Sequence, residues 1–189
     1  MKSLYPQAIK VAGVSKGMKV LLANKFFFLH GGSERVFFQE RDFLLAQGVQ
    51  VVDFSMEDSR NFPSSYSAFF ASNIDYYASK GIFAKVKQGV KFVHSPEAVN
   101  KLERLVEKER PAIAHLHNIY HQLTPSIIPV LKKHGVKVLL TLHDGKLICL
   151  SYLMLARGKI YTACKAGRSG NHWSQVAWDQ EDKGSRLRC

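Results

Sequence analysis

The chain has 189 residues, 46% of them apolar, with 27 Lys plus Arg against 15 Asp plus Glu and a formal net charge of +12. That length buries one sizeable core and matches the usual size of a single folded unit. No apolar stretch is long enough to cross a bilayer, residues 1–17 hold no long apolar leader segment, and three late cysteines (Cys149, Cys164, Cys189) do not read as a disulfide framework; a cytoplasmic protein with reduced thiols is expected.

Met18-Lys19-Val20-Leu21-Leu22 looks like a natural domain start, so residues 1–17 read as a disordered upstream extension. Lys19 to Asn24 is a short apolar strand. It runs through Lys25-Phe26-Phe27-Phe28-Leu29-His30 into the glycine pair Gly31-Gly32 and then Ser33-Glu34. A strand, a glycine turn and a helix start together make an anion site. The first helical N–H groups have no intrahelical partner, the macrodipole is positive at that end, and glycine lets a ligand come close to the backbone. The helix should begin near Ser33, send Val36, Phe37, Phe43, Leu44 and Leu45 to the core, and stop at Gly48. Gln50 to Phe54 is a second strand, and Ser55 to Tyr77 an irregular connection broken by Phe62-Pro63 and Ser64-Ser65. From Ile82 to Val93, Phe83, Val86 and Val90 stand at helical spacing beside Lys85, Lys87 and Lys91. Such a basic amphipathic helix suits peripheral contact with an anionic membrane face, or packs on its own sheet with its lysines snorkelling.

Ser95-Pro96-Glu97 has the form of a helix start, with a capping Ser, a first-turn Pro and an acid. That helix should run to about Lys108. Ile113 to His117 is a third strand, Thr124-Pro125 should cap a helix that ends at Gly135, and Val136 to Leu142 is a fourth strand. Its nearly continuous apolar run predicts cover on both faces.

Strands alternating with helices imply an α/β fold with a doubly wound, Rossmann-like parallel sheet, in which ligands sit at the carboxyl ends of the strands. Those ends carry His30-Gly31-Gly32, His117-Asn118 and His143-Asp144. This convergence is the argument for a site. His115 and His117 share a strand face and with His121 invite a metal site, but His-x-His spacing is non-specific and the nearest acid lies on another strand, so no metal is assigned. His143-Asp144 could also cap the segment that follows. Cys149, between Ile148 and Leu150, reads as a buried, inert thiol. The basic residues are spread over helices, loops and tail rather than gathered in one stripe, so no specific nucleic-acid partner is expected.

Gly31-Gly32-Ser33-Glu34, the run Ala114-His115-Leu116-His117-Asn118-Ile119-Tyr120-His121 with Thr124-Pro125-Ser126, and Thr141-Leu142-His143-Asp144 with Lys146-Leu147-Ile148-Cys149 together resemble the N-terminal domain of a family 4 glycosyltransferase of the two-domain GT-B fold. The resemblance runs from about Met18 to Lys165. It implies transfer of a sugar, with retention, from a nucleotide-diphosphate donor to a saccharide or lipid-linked acceptor, without metal or other cofactor. Gly31, Gly32 and Ser33 would then approach the donor diphosphate, His143 and Asp144 the reacting sugar, and His117, Asn118 and His121 the acceptor. The family's aromatic residue after His-Asp and its proline after the cysteine are replaced here by Gly145 and Leu150. The expected organisation is an extension at 1–17, a Rossmann-like acceptor-side domain at 18–157, and an irregular basic tail at 158–189. The family's second, donor-binding half is missing, so the chain reads as truncated or as the partner of a separate donor-binding chain. The alternative reading is a non-catalytic module that holds a phosphorylated glycan, an anionic lipid or nucleic acid through the same edge and its positive charge.

Overall fold

Alternate residues of the first strand, β1 (Lys19–Ala23), enter two different apolar clusters, because successive side chains of a strand point to opposite faces. The computed structural model describes residues 17–73, 95–120 and 122–144, together with the backbone of 155–156 and 159–160. The chain forms two compact units, Met1–Thr141 and Leu142–Cys189. In the first, β1 lies between β2 (Gln50–Phe54) and β3 (Ile113–Leu116), with β4 (Lys137–Leu140) beyond β3. All three pairings are parallel, as the alternation of strands and helices requires. The described backbone of the second unit forms a short antiparallel pair, β5 (Leu155–Ala156) and β6 (Lys159–Ile160).

Helices lie on both faces of the four-stranded sheet. Val20 and Leu22 pack with Val51 and with Phe37 of α1 (Gly32–Ala46). Leu21, Ala23, Val52, Phe54, Ala114 and Leu116 pack with α2 (Pro96–Glu109) and α3 (Ile127–Lys133), through Leu102, Leu105, Ile127 and Leu131 among others. The architecture is α/β with a parallel sheet, compatible with a Rossmann-like arrangement.

α1 starts one residue earlier than the sequence predicts and presents a partly different face, with Phe37 and Leu44 inward as expected. Phe37 is fully buried, but Val36 and Leu45 are 46% and 45% exposed. The inward stripe is Glu34, Phe37, Phe38, Arg41 and Leu44, spaced i, i+3, i+4, i+7 and i+10. The reason is electrostatic. Asp53 on β2 is 1% exposed, and Arg41 grips it twice, Nε to Oδ1 at 2.8 Å and Nη2 to Oδ2 at 3.0 Å; Ser64 Oγ donates to Oδ2 at 2.7 Å. A buried carboxylate demands such partners, so the rotation that satisfies Asp53 wins over one that hides Val36 and Leu45.

The Ser55 to Tyr77 connection is irregular as far as it is described, to Asn73, apart from a 3-10 turn at Ser67–Phe69 and a parallel bridge between Met56 and Ala71. The basic stretch Ile82 to Val93 lies outside the described residues, as do Cys149, Cys164 and Cys189, the extension at 1–16 and the tail from 161. α2 begins as its sequence predicts: Ser95 Oγ accepts the Ala98 N–H and Pro96 takes the first turn. It ends at Glu109, where Arg110 is left-handed (φ 50°) ahead of Pro111.

Two expectations are corrected. Thr124-Pro125 does not cap α3. Thr124 is itself left-handed (φ 62°), its Oγ1 is 2.6 Å from Ser126 Oγ, and the helix starts only at Ile127. A β-branched residue seldom adopts that conformation, which makes this a turn held from outside rather than a helix cap. The fourth strand is shorter than predicted, and among the described residues it is not covered on both faces. Within them β4 pairs only with β3, and Leu139, level with His115, is 55% exposed. Among the described residues, no helix is long and apolar enough to cross a membrane.

Because Arg41 neutralises an otherwise buried charge, Arg41→Ala should lower stability by about 3–5 kcal/mol in urea denaturation. Val36→Ser, on the outward face, should stay within about 0.5 kcal/mol. Equal effects of the two substitutions would place the wrong face of α1 on the sheet.

Candidate functional site at the carboxyl ends of β1 and β3

After β1 the chain crosses one face of the sheet as α1; after β3 it crosses the other face as α3. Between these two neighbouring strands the connections part, and in doubly wound sheets the crevice that takes a ligand lies outside the carboxyl ends at such a point. Asn24 and Lys25 leave β1 there, and His117 and Asn118 leave β3.

Asn24 ties this edge together and is fully buried. Its Oδ1 accepts the Asn118 N–H at 3.2 Å, and its Nδ2 donates to the Phe26 carbonyl at 2.8 Å and to Glu34 Oε1 at 3.4 Å. Backbone bonds continue the stitching, from Lys25 N–H to the Asn118 carbonyl at 2.8 Å and from His117 N–H to the Ala23 carbonyl at 2.8 Å. Asn118 Oδ1 is buried with no hydrogen-bond partner among the described residues.

Aromatic contacts set the path from β1 to the glycine turn. Phe27 is buried against Phe37, Phe38 and Phe70, with ring centroids 5.3–6.0 Å apart. The Phe26 ring lies tilted against that of His30, centroids 4.9 Å apart, and the Arg60 guanidinium lies over Phe28 at 4.1 Å. The turn then enters α1 at Gly32. Gly31 N–H donates to Glu34 Oε2 at 2.9 Å, and Ser33 Oγ donates to Glu34 Oε1 at 3.0 Å, so the buried Glu34 closes the helix start from inside. Neither Gly31 nor Gly32 has a positive φ. A Cβ on Gly32 would meet nothing within 4 Å, and one on Gly31 only Glu34 Oε2 at 3.4 Å. Backbone conformation and internal packing therefore demand glycine at neither position; what the two glycines supply is a bare turn. Lys25 stands nearby, half-buried, with its ammonium pushed below the usual lysine range by burial, against the pull of Glu34.

On the α1 side of β3 lies a second polar cluster. His115 Nδ1 is 2.5 Å from Glu40 Oε1, His115 Nε2 is 2.7 Å from Thr141 Oγ1, and His117 Nε2 is 3.2 Å from Glu40 Oε2. Burial by itself would raise the Glu40 carboxyl, but hydrogen bonding and positive potential from His115 and His117 outweigh it and bring it from 4.5 to about 2.

Gly31, Gly32, Ser33, His117 and Asn118 thus share one sheet edge. The ring of His117 is fully buried, turned to Glu40 and edge-on to Phe37 at 5.3 Å, rather than facing the crevice. His121 lies outside the described residues. His143, half-buried, and Asp144, exposed, belong to the second unit. Sequence reasoning missed Asn24, Lys25 and Glu40. A lone polar residue closing an apolar strand was a usable signal for Asn24; for Glu40 there was none, because its partner is 75 residues away. Comparison with models of protein families, with curated proteins and with solved structures finds no match.

If Asn24 holds this edge, Asn24→Ala should cost about 1–3 kcal/mol in urea denaturation, since it strands the Asn118 N–H and weakens the shell of Glu34. Asn24→Asp, which sets a like charge beside Glu34, should cost more. Changes within about 0.5 kcal/mol for both variants would mean that the backbone bonds alone hold the edge.

Proposed function

We propose that this chain is the acceptor-side half of a retaining glycosyltransferase resembling family 4, the Rossmann-like N-terminal half of a GT-B pair that acts with a donor-binding half. The observation that carries the reading is the bare glycine turn, set over the N-terminus of a 15-residue helix at the crevice between β1 and β3. Gly31 N–H is already engaged by Glu34, so the groups offered to a donor diphosphate are the first-turn N–H groups of Gly32 and Ser33. A departing diphosphate gathers negative charge, and fixed backbone donors stabilise that charge as it forms. Lys25 adds a positive group whose partly buried ammonium an arriving phosphate would stabilise.

In this reading Asn118, with its unpartnered Oδ1, and His121 approach the saccharide or lipid-linked acceptor. His117, buried on Glu40, positions the strand end rather than touching the acceptor. The work would be done in the cytoplasm, with peripheral contact at the membrane where a lipid-linked acceptor is used. A second reading, a module that binds phosphorylated glycans, anionic lipids or nucleic acid by charge, is favoured by the net charge of +12.

Calorimetric titration with a panel of nucleoside-diphosphate sugars separates the two. A specific site should bind one donor saturably and hold most of its affinity between about 0.05 and 0.3 M salt, whereas diffuse electrostatics should lose orders of magnitude. Gly32→Val should weaken donor binding at least about tenfold, near 1.4 kcal/mol. The added side chain meets nothing within 4 Å, so the fold should persist. Unchanged affinity would remove the glycine turn from the mechanism.

A further inference from the structure

His115 on β3 and His117 just past its end stand two residues apart and so project from the same face, toward α1. From α1, Glu40 reaches between them, with one carboxylate oxygen directed at each ring. We propose that Glu40, His115 and His117 form a binding site for a divalent transition-metal ion, Zn2+ foremost, that cross-links α1 to β3.

Three features carry this beyond an ordinary ion pair. The first is convergence: one atom from each residue lies within 4.8 Å of the other two. A tetrahedral ion with bonds of about 2.0–2.1 Å sets its ligand atoms roughly 3.3 Å apart. The Glu40 to His117 separation of 3.2 Å already matches that spacing. The Glu40 to His115 contact of 2.5 Å has to open by less than about 1 Å, a movement open to the carboxylate, the most exposed group of the three.

The second feature is the outer contact. His115 directs Nδ1 to the cluster while Nε2 is 2.7 Å from Thr141 Oγ1. A metal-bound imidazole characteristically gives its other ring N–H to an oxygen, which fixes the tautomer and the ring plane. The third is donor chemistry. Two imidazoles and one carboxylate suit Zn2+ and Co2+, leave a fourth position for water on the solvent side of Glu40, and are a poor match for Mg2+ or Ca2+, which prefer all-oxygen shells. The described residues contain one other candidate group, Glu103, Glu107 and His134, but it lies on the surface and Lys133 Nζ already sits 2.7 Å from Glu103. The ion at Glu40 would add a structural cross-link and takes no part in the sugar transfer proposed above.

The test uses the full chain, freed of metal by chelation and dialysis, titrated with Zn2+ against a competing chelator, with Co2+ as a visible probe. One equivalent should bind, Co2+ should give the intense visible bands of a four-coordinate site, and Zn2+ should raise the unfolding temperature. His115→Gln and Glu40→Gln should each weaken Zn2+ binding at least about a hundredfold, and Thr141→Val about tenfold with the stoichiometry kept. Far-UV circular dichroism of the metal-free variants checks that each is folded. Should one of the first two fail that check, the other, with Thr141→Val, decides. Failure to bind one equivalent, or binding of equal strength in the folded variants, overturns the proposal; the latter would place the ion on cysteines or histidines elsewhere in the chain.

Discussion

The geometry of the first unit depends on how α1 is held to the sheet. A helix that buries only one phenylalanine completely has little to fix its rotation, because apolar burial is non-directional and Val36 and Leu45 offer an alternative face. Three acid contacts remove that freedom. Arg41 meets Asp53 on β2, Glu34 meets the Asn24 side chain just past β1, and Glu40 meets His115 and His117 on and after β3. They reach three adjacent strands from one helix, and each is directional, so a rotation that eased one would break the others. Moving α1 as a body along its axis is resisted in the same way.

This arrangement explains which parts of the fold were legible in the chain. β1 and β2 could be read because their apolar runs end in abrupt polar residues, and α2 because Ser95, Pro96 and Arg110-Pro111 punctuate it locally. The parallel sheet followed from alternation alone. The inward face of α1 could be read only in part: Phe37 and Leu44 do turn to the sheet, but Val36 and Leu45 prove exposed, and the deciding partner, Asp53, reads simply as a polar position within a strand. β4 misled for a related reason. A continuous apolar run normally reports cover on both faces, yet here Leu139 faces outward at the end of the described sheet. Thr124-Pro125 mimics a cap in sequence, but the left-handed backbone of Thr124 shows that a turn, held by its N–H to the Ile119 carbonyl, takes precedence.

The candidate site divides along the same line. The glycine turn was legible because strand, turn and helix start lie within a few residues, and the physics of a helix N-terminus needs nothing more distant. The side chains that frame it were hidden. Asn24 meets Asn118 across 94 residues and Glu40 meets His115 across 75, and no local pattern encodes either meeting. His117 shows the cost of reading by position alone. Its place at a strand end made it a candidate for ligand contact, whereas the alternation that puts it there also turns its ring onto α1.

The crevice and the anchor are consequently one mechanical system. α1 offers its N-terminus to the space between β1 and β3, and its aim is set one turn in by Glu34 and two further turns along by Glu40 and Arg41. Glu34 has a double role, since the carboxylate that closes the helix start also lies among the donors an incoming anion would use. An anion at Gly32 and Ser33 would feel that negative charge, and the half-buried Lys25 is the nearby group that offsets it. The net charge of +12 acts at long range and is screened by salt, while this balance between Glu34 and Lys25 acts over a few ångströms in a partly buried setting. Selectivity for a phosphate-bearing ligand, if it is specific, must arise from the short-range balance, because the long-range field attracts every anion alike.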